Sequence, residues 1–213
     1  MQELLGCHAE TGYEHWKILL DEWMSVMLRY HRVSVTDVPY WYTERANVGL
    51  LAAAAWRCGY IALEEYGDVK RDTETKDSYV GRVDLWIARP DAPGGELIEA
   101  KLEWLSLTRE TEEIALKDKL EKALAPAIAD ARKTKTGKSL PAYGICFVVP
   151  WISGEVEQEV LEQRLVKLTA AIGELKSDIY AWYFPKEFRE IRNFHGRNYP
   201  GVILLGKRVL RGI

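Results

Sequence analysis

Cysteine is scarce in this chain: Cys7, Cys58 and Cys146 are widely separated, odd in number and form no Cys-x-x-Cys pair. That spacing excludes a disulfide framework and gives no thiolate zinc site, so all three are read as reduced, mostly buried thiols. Long apolar runs are missing too, since no stretch reaches the roughly 18 residues that a membrane span requires. The opening MQELLGCHAE lacks a basic segment leading into an apolar one, and the expectation is a cytoplasmic protein with no membrane partner. Proline and glycine are few, 8 and 16 of 213 residues, and there is no internal repeat or low-complexity tract. Fibrous and disordered classes are thereby excluded. Charge of one sign is not in large excess either: a formal net charge of -3 exerts no global pull on nucleic acid. The balance is uneven, however, with seven Lys or Arg against two Glu in residues 186–213.

Hydrophobic residues make up 47% of the chain, enough for a sizeable core, and no composition break marks a boundary. A single domain over 1–213 is expected. Tyr13, Trp16, Leu19, Leu20, Trp23, Met27 and Tyr30 recur at spacings of three and four, the stripe of an amphipathic helix in residues 10–32. A second helix is expected from about Tyr40 to Cys58, with Gly59 as its stop. Three extended pieces follow, "YIALEEYG", "SYVGRVDLWIA" and "GELIEAKLEWL", which read as an antiparallel meander. A charged helix over about Thr111–Lys133 comes next, with Pro126 a weak point at which it kinks or splits. "AYGICFVVPW" then reads as a strand covered on both faces. The C-terminal part, 153–213, adds a helix over 154–175 and the strands "DIYAWYF" and "GVILLGKRV".

The chemistry lies in "GRVDLWIARPDAPGGELIEAKLEW", residues 81–104. Alternation along a strand puts Glu99, Lys101 and Glu103 on one face, and pairing around the Pro/Gly turn brings Asp84 opposite or beside 99 or 101. Carboxylates placed that closely in apolar surroundings repel and lose hydration, so a cation is needed between them. Lys101 supplies one charge. A hard divalent ion, Mg²⁺ or Mn²⁺, suits Asp84, Glu99 and the Ala100 carbonyl better. The plain alternative is an Asp84 ion-paired to Lys101 or Arg82 without metal.

The Asp84 strand followed by Glu99-x-Lys101 resembles the PD-(D/E)xK nuclease superfamily, the restriction-endonuclease-like fold. The resemblance covers about residues 40–152 and implies an α/β core of helix, three-strand antiparallel meander, helix and strand, with an N-terminal helical extension (1–39) and C-terminal additions. It implies Asp84, Glu99 and Lys101 as catalytic residues, with Asp84, Glu99 and Ala100 holding Mg²⁺. Glu44 on the first core helix looks similar to the further metal ligand of many members. Val83 replaces the signature proline, and no Gln-x-x-x-Tyr element follows the lysine. The function so implied is a Mg²⁺-dependent DNA endonuclease serving restriction, phage defence or DNA processing. The competing reading is a catalytically inactive nuclease-like subunit that binds nucleic acid or protein; a remoter one is a metal-dependent hydrolase with another substrate.

For DNA contact the candidates are Arg82 and the basic, aromatic stretch "KEFREIRNFHGRNYPG", with Lys186, Arg189, Arg192 and Arg197 to grip phosphates and Phe188, Phe194 and Tyr199 to stack on bases. "ARKTKTGK" at 131–138 is a second basic loop. Glu64 and Glu65 are expected to be solvated. Cutting both strands would call for a homodimer or larger complex.

Overall fold

A computed structural model describes residues 3–71, 74–75, 77–134 and 140–209. It shows a mixed α/β chain whose eight strands form one sheet, mostly antiparallel, with four helices on its two faces. The elements in chain order are β1 (Leu4–Ala9), α1 (Glu14–Val33), a 3-10 turn (Pro39–Trp41), α2 (Glu44–Arg57), β2 (Ile61–Arg71), β3 (Ser78–Ala88) and β4 (Glu96–Ser106). They continue with α3 (Glu113–Lys133), β5 (Ala142–Ser153), α4 (Gln158–Gly173), β6 (Ile179–Phe184), β7 (Arg197–Asn198) and β8 (Val202–Val209). The strand order is β1-β6-β8-β5-β4-β3-β2, with the short β7 set beside β5.

The expected meander is present: β2 pairs with β3 and β3 with β4, both antiparallel. β4 and β5 run parallel, which a tight hairpin cannot achieve, and α3 provides the crossover. Alternation on β5 divides the core between the two faces. Tyr143, Ile145, Phe147 and Val149 meet α1 and α2, among them the fully buried Trp16, Trp23 and Leu51. Cys146 and Val148 meet Leu116, Leu120 and Leu124 of α3 and Leu161, Leu165 and Leu168 of α4. Full burial of each such large apolar side chain contributes about 1.5–3 kcal/mol.

Two expectations are corrected here. The N-terminal segment is not wholly helical: Leu4–Ala9 is an edge strand paired antiparallel with β6. Pro126 does not split its element, and α3 runs unbroken from Glu113 to Lys133. The second helix starts at Glu44 because Thr43 caps it, its Oγ1 accepting the Ala46 N–H at 3.2 Å. It ends where Gly59 adopts φ +77, a left-handed conformation that costs glycine little.

Candidate active site on the opened edge of β4

The ladder between β3 and β4 is short. It comprises Leu85↔Ile98, Trp86↔Leu97 and Ile87↔Glu96. Beyond it β3 stays with β2 as far as the Arg71↔Ser78 pair, while β4 stays with β5 as far as Ser106↔Trp151. The two halves of the sheet therefore part at Asp84 and Glu99, leaving the edge of β4 without strand partners on that side.

Two carboxylates land on this edge. Asp84 Oδ2 accepts the Ala100 N–H at 2.7 Å. Glu44, in the first turn of α2, faces the Leu102 N–H, which favours its charged form. Backbone groups two residues apart on a strand point to the same side, so Asp84 and Glu44 face one run of amides on β4. Geometry in the chain before α2 holds Glu44 there: buried Asn47 donates through Nδ2 to the carbonyls of Tyr40 and Thr43, each at 3.0 Å. By the same alternation, the Ala100 carbonyl turns toward Asp84.

Glu99 is only 2% exposed. Lys70 of β2 meets its carboxylate at 2.8 Å, and the Thr134 hydroxyl donates to Oε1 at 2.6 Å. Lys101 forms an ion pair with Asp130 of α3 at 2.9 Å, and Lys133 holds the other oxygen of Asp130 at 3.0 Å. Burial pushes the Glu99 carboxyl above the ordinary glutamate range and Asp84 adds to the rise, with Lys70 and Thr134 opposing it. Glu44 is raised by burial, with Asp84 and Asp130 adding and Lys101 opposing. Burial works against the charge on Lys101, yet Asp130, Glu44 and Asp84 together raise its pKa. Asp130 shows the converse: burial would raise it, and its two lysines hold it below the ordinary aspartate range. Lys101 thus stays an ammonium at neutral pH.

Asp84 thus lies within electrostatic reach of Glu99, Glu44 and Lys101. Lys70, Thr134 and Asp130 complete the cluster and carry no motif. The donor set is chemically suited to a hard cation, being all oxygen: three carboxylates and a turned-out carbonyl. Among the described residues, however, no three His, Cys, Asp or Glu side chains are grouped closely enough to hold a metal ion as they stand. The reason is visible in the partners: Glu99 is drawn to Lys70 and Thr134, and Asp84 to a backbone amide.

The expected nucleic-acid contacts divide. Arg82 is exposed, two residues before Asp84, and reaches Glu65 at 3.1 Å; Glu65 also pairs with Arg45. Arg192 and Arg197 are exposed, the latter 4.6 Å over the Trp151 ring. They belong to a segment joined to the site by a chain of rings, Trp104–Tyr199 and Tyr199–Trp41 at 5.5 Å each, with Phe194 projecting fully into solvent. Lys186 is half-buried, and no contact ties it to the cluster. Arg189 must be withdrawn from the DNA-binding set. Only 2% exposed, it donates through Nε and Nη2 to the Phe184 carbonyl at 3.2 and 2.8 Å and faces Glu162 at 3.8 Å, so it pins its own loop. Phe188 is likewise buried and cannot stack on a base. Glu64 and Glu103 are exposed; residues 131–134 of the second basic stretch close α3, and its remainder, 135–138, lies outside the described residues. Gly81 gives room to Lys70, since a Cβ there would lie 2.8 Å from Lys70 Cδ.

Comparisons with protein-family models, curated proteins and solved structures found no match.

Proposed function

We propose that the chain is a Mg²⁺-dependent DNA endonuclease of the PD-(D/E)xK type, with Mn²⁺ as a substitute ion, acting in restriction, phage defence or DNA processing. The observation that carries this reading is the convergence of Asp84, Glu99, Lys101 and Glu44 where β3 and β4 part. Asp84, Glu99, Glu44 and the Ala100 carbonyl would hold the ion, which when bound lowers the pKa of a water and neutralises charge developing on the phosphate. The Ala100 amide orients Asp84. Lys101, kept cationic by Asp130, Glu44 and Asp84, orients the attacking water and stabilises the phosphorane-like charge; its raised pKa disfavours proton abstraction. Arg82, Arg192 and Arg197 offer charge to the flanking phosphates.

One observation favours a second reading, a non-catalytic nucleic-acid or protein-binding subunit: Glu99 is already ion-paired with Lys70 and hydrogen-bonded by Thr134. Supercoiled, linear, single-stranded and branched DNA, each with and without Mg²⁺, separate the two. The endonuclease cleaves at least one form only with metal, and Asp84→Ala or Lys101→Ala lowers cleavage by about a hundredfold or more. Metal-dependent cleavage retained by purified Asp84→Ala rejects the assignment. No cleavage of any form, with DNA binding that survives Asp84→Ala, establishes the second reading.

A further inference from the structure

Two large aromatic side chains stand in solvent and are nevertheless held in place. Tyr42, two residues before Glu44, is 52% exposed, and its hydroxyl donates to Asp37 Oδ2 at 2.7 Å. Asp37 is itself fixed: Tyr30 donates to the same oxygen at 2.5 Å and the Val38 N–H to Oδ1 at 2.8 Å. Phe194 is 92% exposed, in a loop closed by the Arg192↔Asn198 bridge. Within that loop Asn193 Oδ1 accepts the His195 and Arg197 N–H groups at 3.0 and 3.1 Å. Fixing an exposed ring costs conformational entropy and gains none of the stabilisation that burial brings, so neither placement serves the core. Both rings line one cavity of about 650 Å³, together with Trp41, Asp37 and Arg192, a size within the ordinary range of ligand pockets.

We propose that this cavity receives one unstacked base of single-stranded DNA, with Trp41, Tyr42 and Phe194 as its stacking surfaces and Arg192 meeting the adjoining phosphate; this rests on the reading of DNA as the substrate. Every base has a π-face, so a cluster of rings holds a strand of any sequence. A base inside a duplex is covered on both faces, and only one out of its stack can lie on a ring. Arg192 supplies the charge that a phosphate requires. Asp37, the one acid among the described lining residues, is engaged on both oxygens by Tyr30, Tyr42 and the Val38 N–H. A proline-rich peptide, the other common occupant of an aromatic groove, brings no anion for the arginine. The position suits the substrate as well. Trp41 and Tyr42 lead through Thr43 into Glu44, and Trp41 contacts Tyr199, which contacts Trp104 on β4, three residues beyond Lys101. A strand held at the cavity is thereby led toward the opened edge of β4.

Fluorescence anisotropy of the full chain in metal-free buffer, at one fixed salt concentration, tests this with labelled oligo(dT), an equally long strand of abasic sites, a duplex and a proline-rich peptide. Wild type is expected to bind oligo(dT) about fivefold or more tighter than the abasic strand. Phe194→Ala and Tyr42→Ala should each weaken oligo(dT) binding by about five- to a hundredfold, the worth of one stacked base, and leave the abasic strand and the duplex unchanged. Arg192→Ala should weaken both single strands, and Phe194→Trp, which keeps a ring, should bind as wild type does. Phe194 is exposed, so its variants keep the fold and decide the matter even if Tyr42→Ala fails to fold. Equal binding of the two single strands by wild type overturns the proposal. So does unchanged oligo(dT) binding by Phe194→Ala, or an equal loss on the duplex, and in each of these cases metal-dependent cleavage still stands or falls on Asp84→Ala. Binding of no DNA form overturns both the proposal and the DNA reading. Peptide binding that Phe194→Ala abolishes, without DNA binding, assigns the cavity to a protein partner instead.

Discussion

Arg189 shows how a single residue in a basic loop can belong to the core. Its guanidinium spends two donors on the Phe184 carbonyl inside the protein, next to buried Phe188. Arg189→Met should therefore destabilise the fold by about 1.5–3 kcal/mol, the worth of hydrogen bonds to a charged group, read as a shift in urea midpoint. On the proposed function, DNA affinity at constant salt should hold for the folded protein, whereas Arg192→Ala and Arg197→Ala should reverse that pattern by weakening the proposed binding without moving the midpoint. A basic stretch alone could not separate these arginines, because orientation in an irregular turn has no period to read. Asp84, Glu99 and Lys101 were legible for the opposite reason: strand alternation is local, and a short hairpin fixes their proximity. Lys70, Thr134 and Asp130 were not, since each reaches the site through a contact between elements far apart in sequence.

At the scale of elements, the site depends on how closely α3 lies on β5. Gly144, paired with Glu99 across the β4–β5 ladder, lets the helix backbone approach: a Cβ there would lie 2.4 Å from the Ile128 nitrogen and 2.5 Å from the Ala127 carbonyl carbon. Backbone cannot rotate out of the way. Gly144→Ala should lift α3 just before Asp130 and Thr134, costing about 1–3 kcal/mol as overpacking and loosening both the Lys101 and the Glu99 contacts. A urea melt measures the first effect, and loss of the proposed cleavage in protein still folded measures the second. An unchanged midpoint would show that α3 yields freely. The helices and most strands could be read from periodicity, and the stop of the second helix from Gly59; its start was expected near Tyr40, four residues before the Glu44 that Thr43 caps. β1 could not: "LLGCHA" has no β-branched residue and too few positions for alternation to stand out. Pro126 suggested a break by removing one helix hydrogen bond, yet the apolar stripe Leu116, Leu120, Leu124, Ala127 and Ala131 on either side of it buries the helix as one piece.

For the molecule as a whole, the cluster ties stability to pH with two opposing signs. Glu99 and Glu44 hold protons more tightly folded than unfolded, so their contribution to stability is full below the ordinary glutamate value of 4.5 and is lost as pH rises through their raised values. Asp130 runs the other way: its contribution is present above the ordinary aspartate value of 3.8 and is lost as pH falls through its lowered one. Between pH 4.5 and neutrality Asp130 stays ionised throughout, and the changing terms are the two glutamates. Glu99→Gln removes the more buried of them. The stability of Glu99→Gln relative to wild type, from urea melts in metal-free buffer at pH 4.5 to 7.5, should consequently become more favourable as pH rises. A gap that stays level, or that moves toward wild type, would mean that Lys70 and Thr134 fully offset the burial of Glu99. In that event the cluster carries no electrostatic strain for a divalent ion to relieve, and the binding-subunit reading gains over the endonuclease.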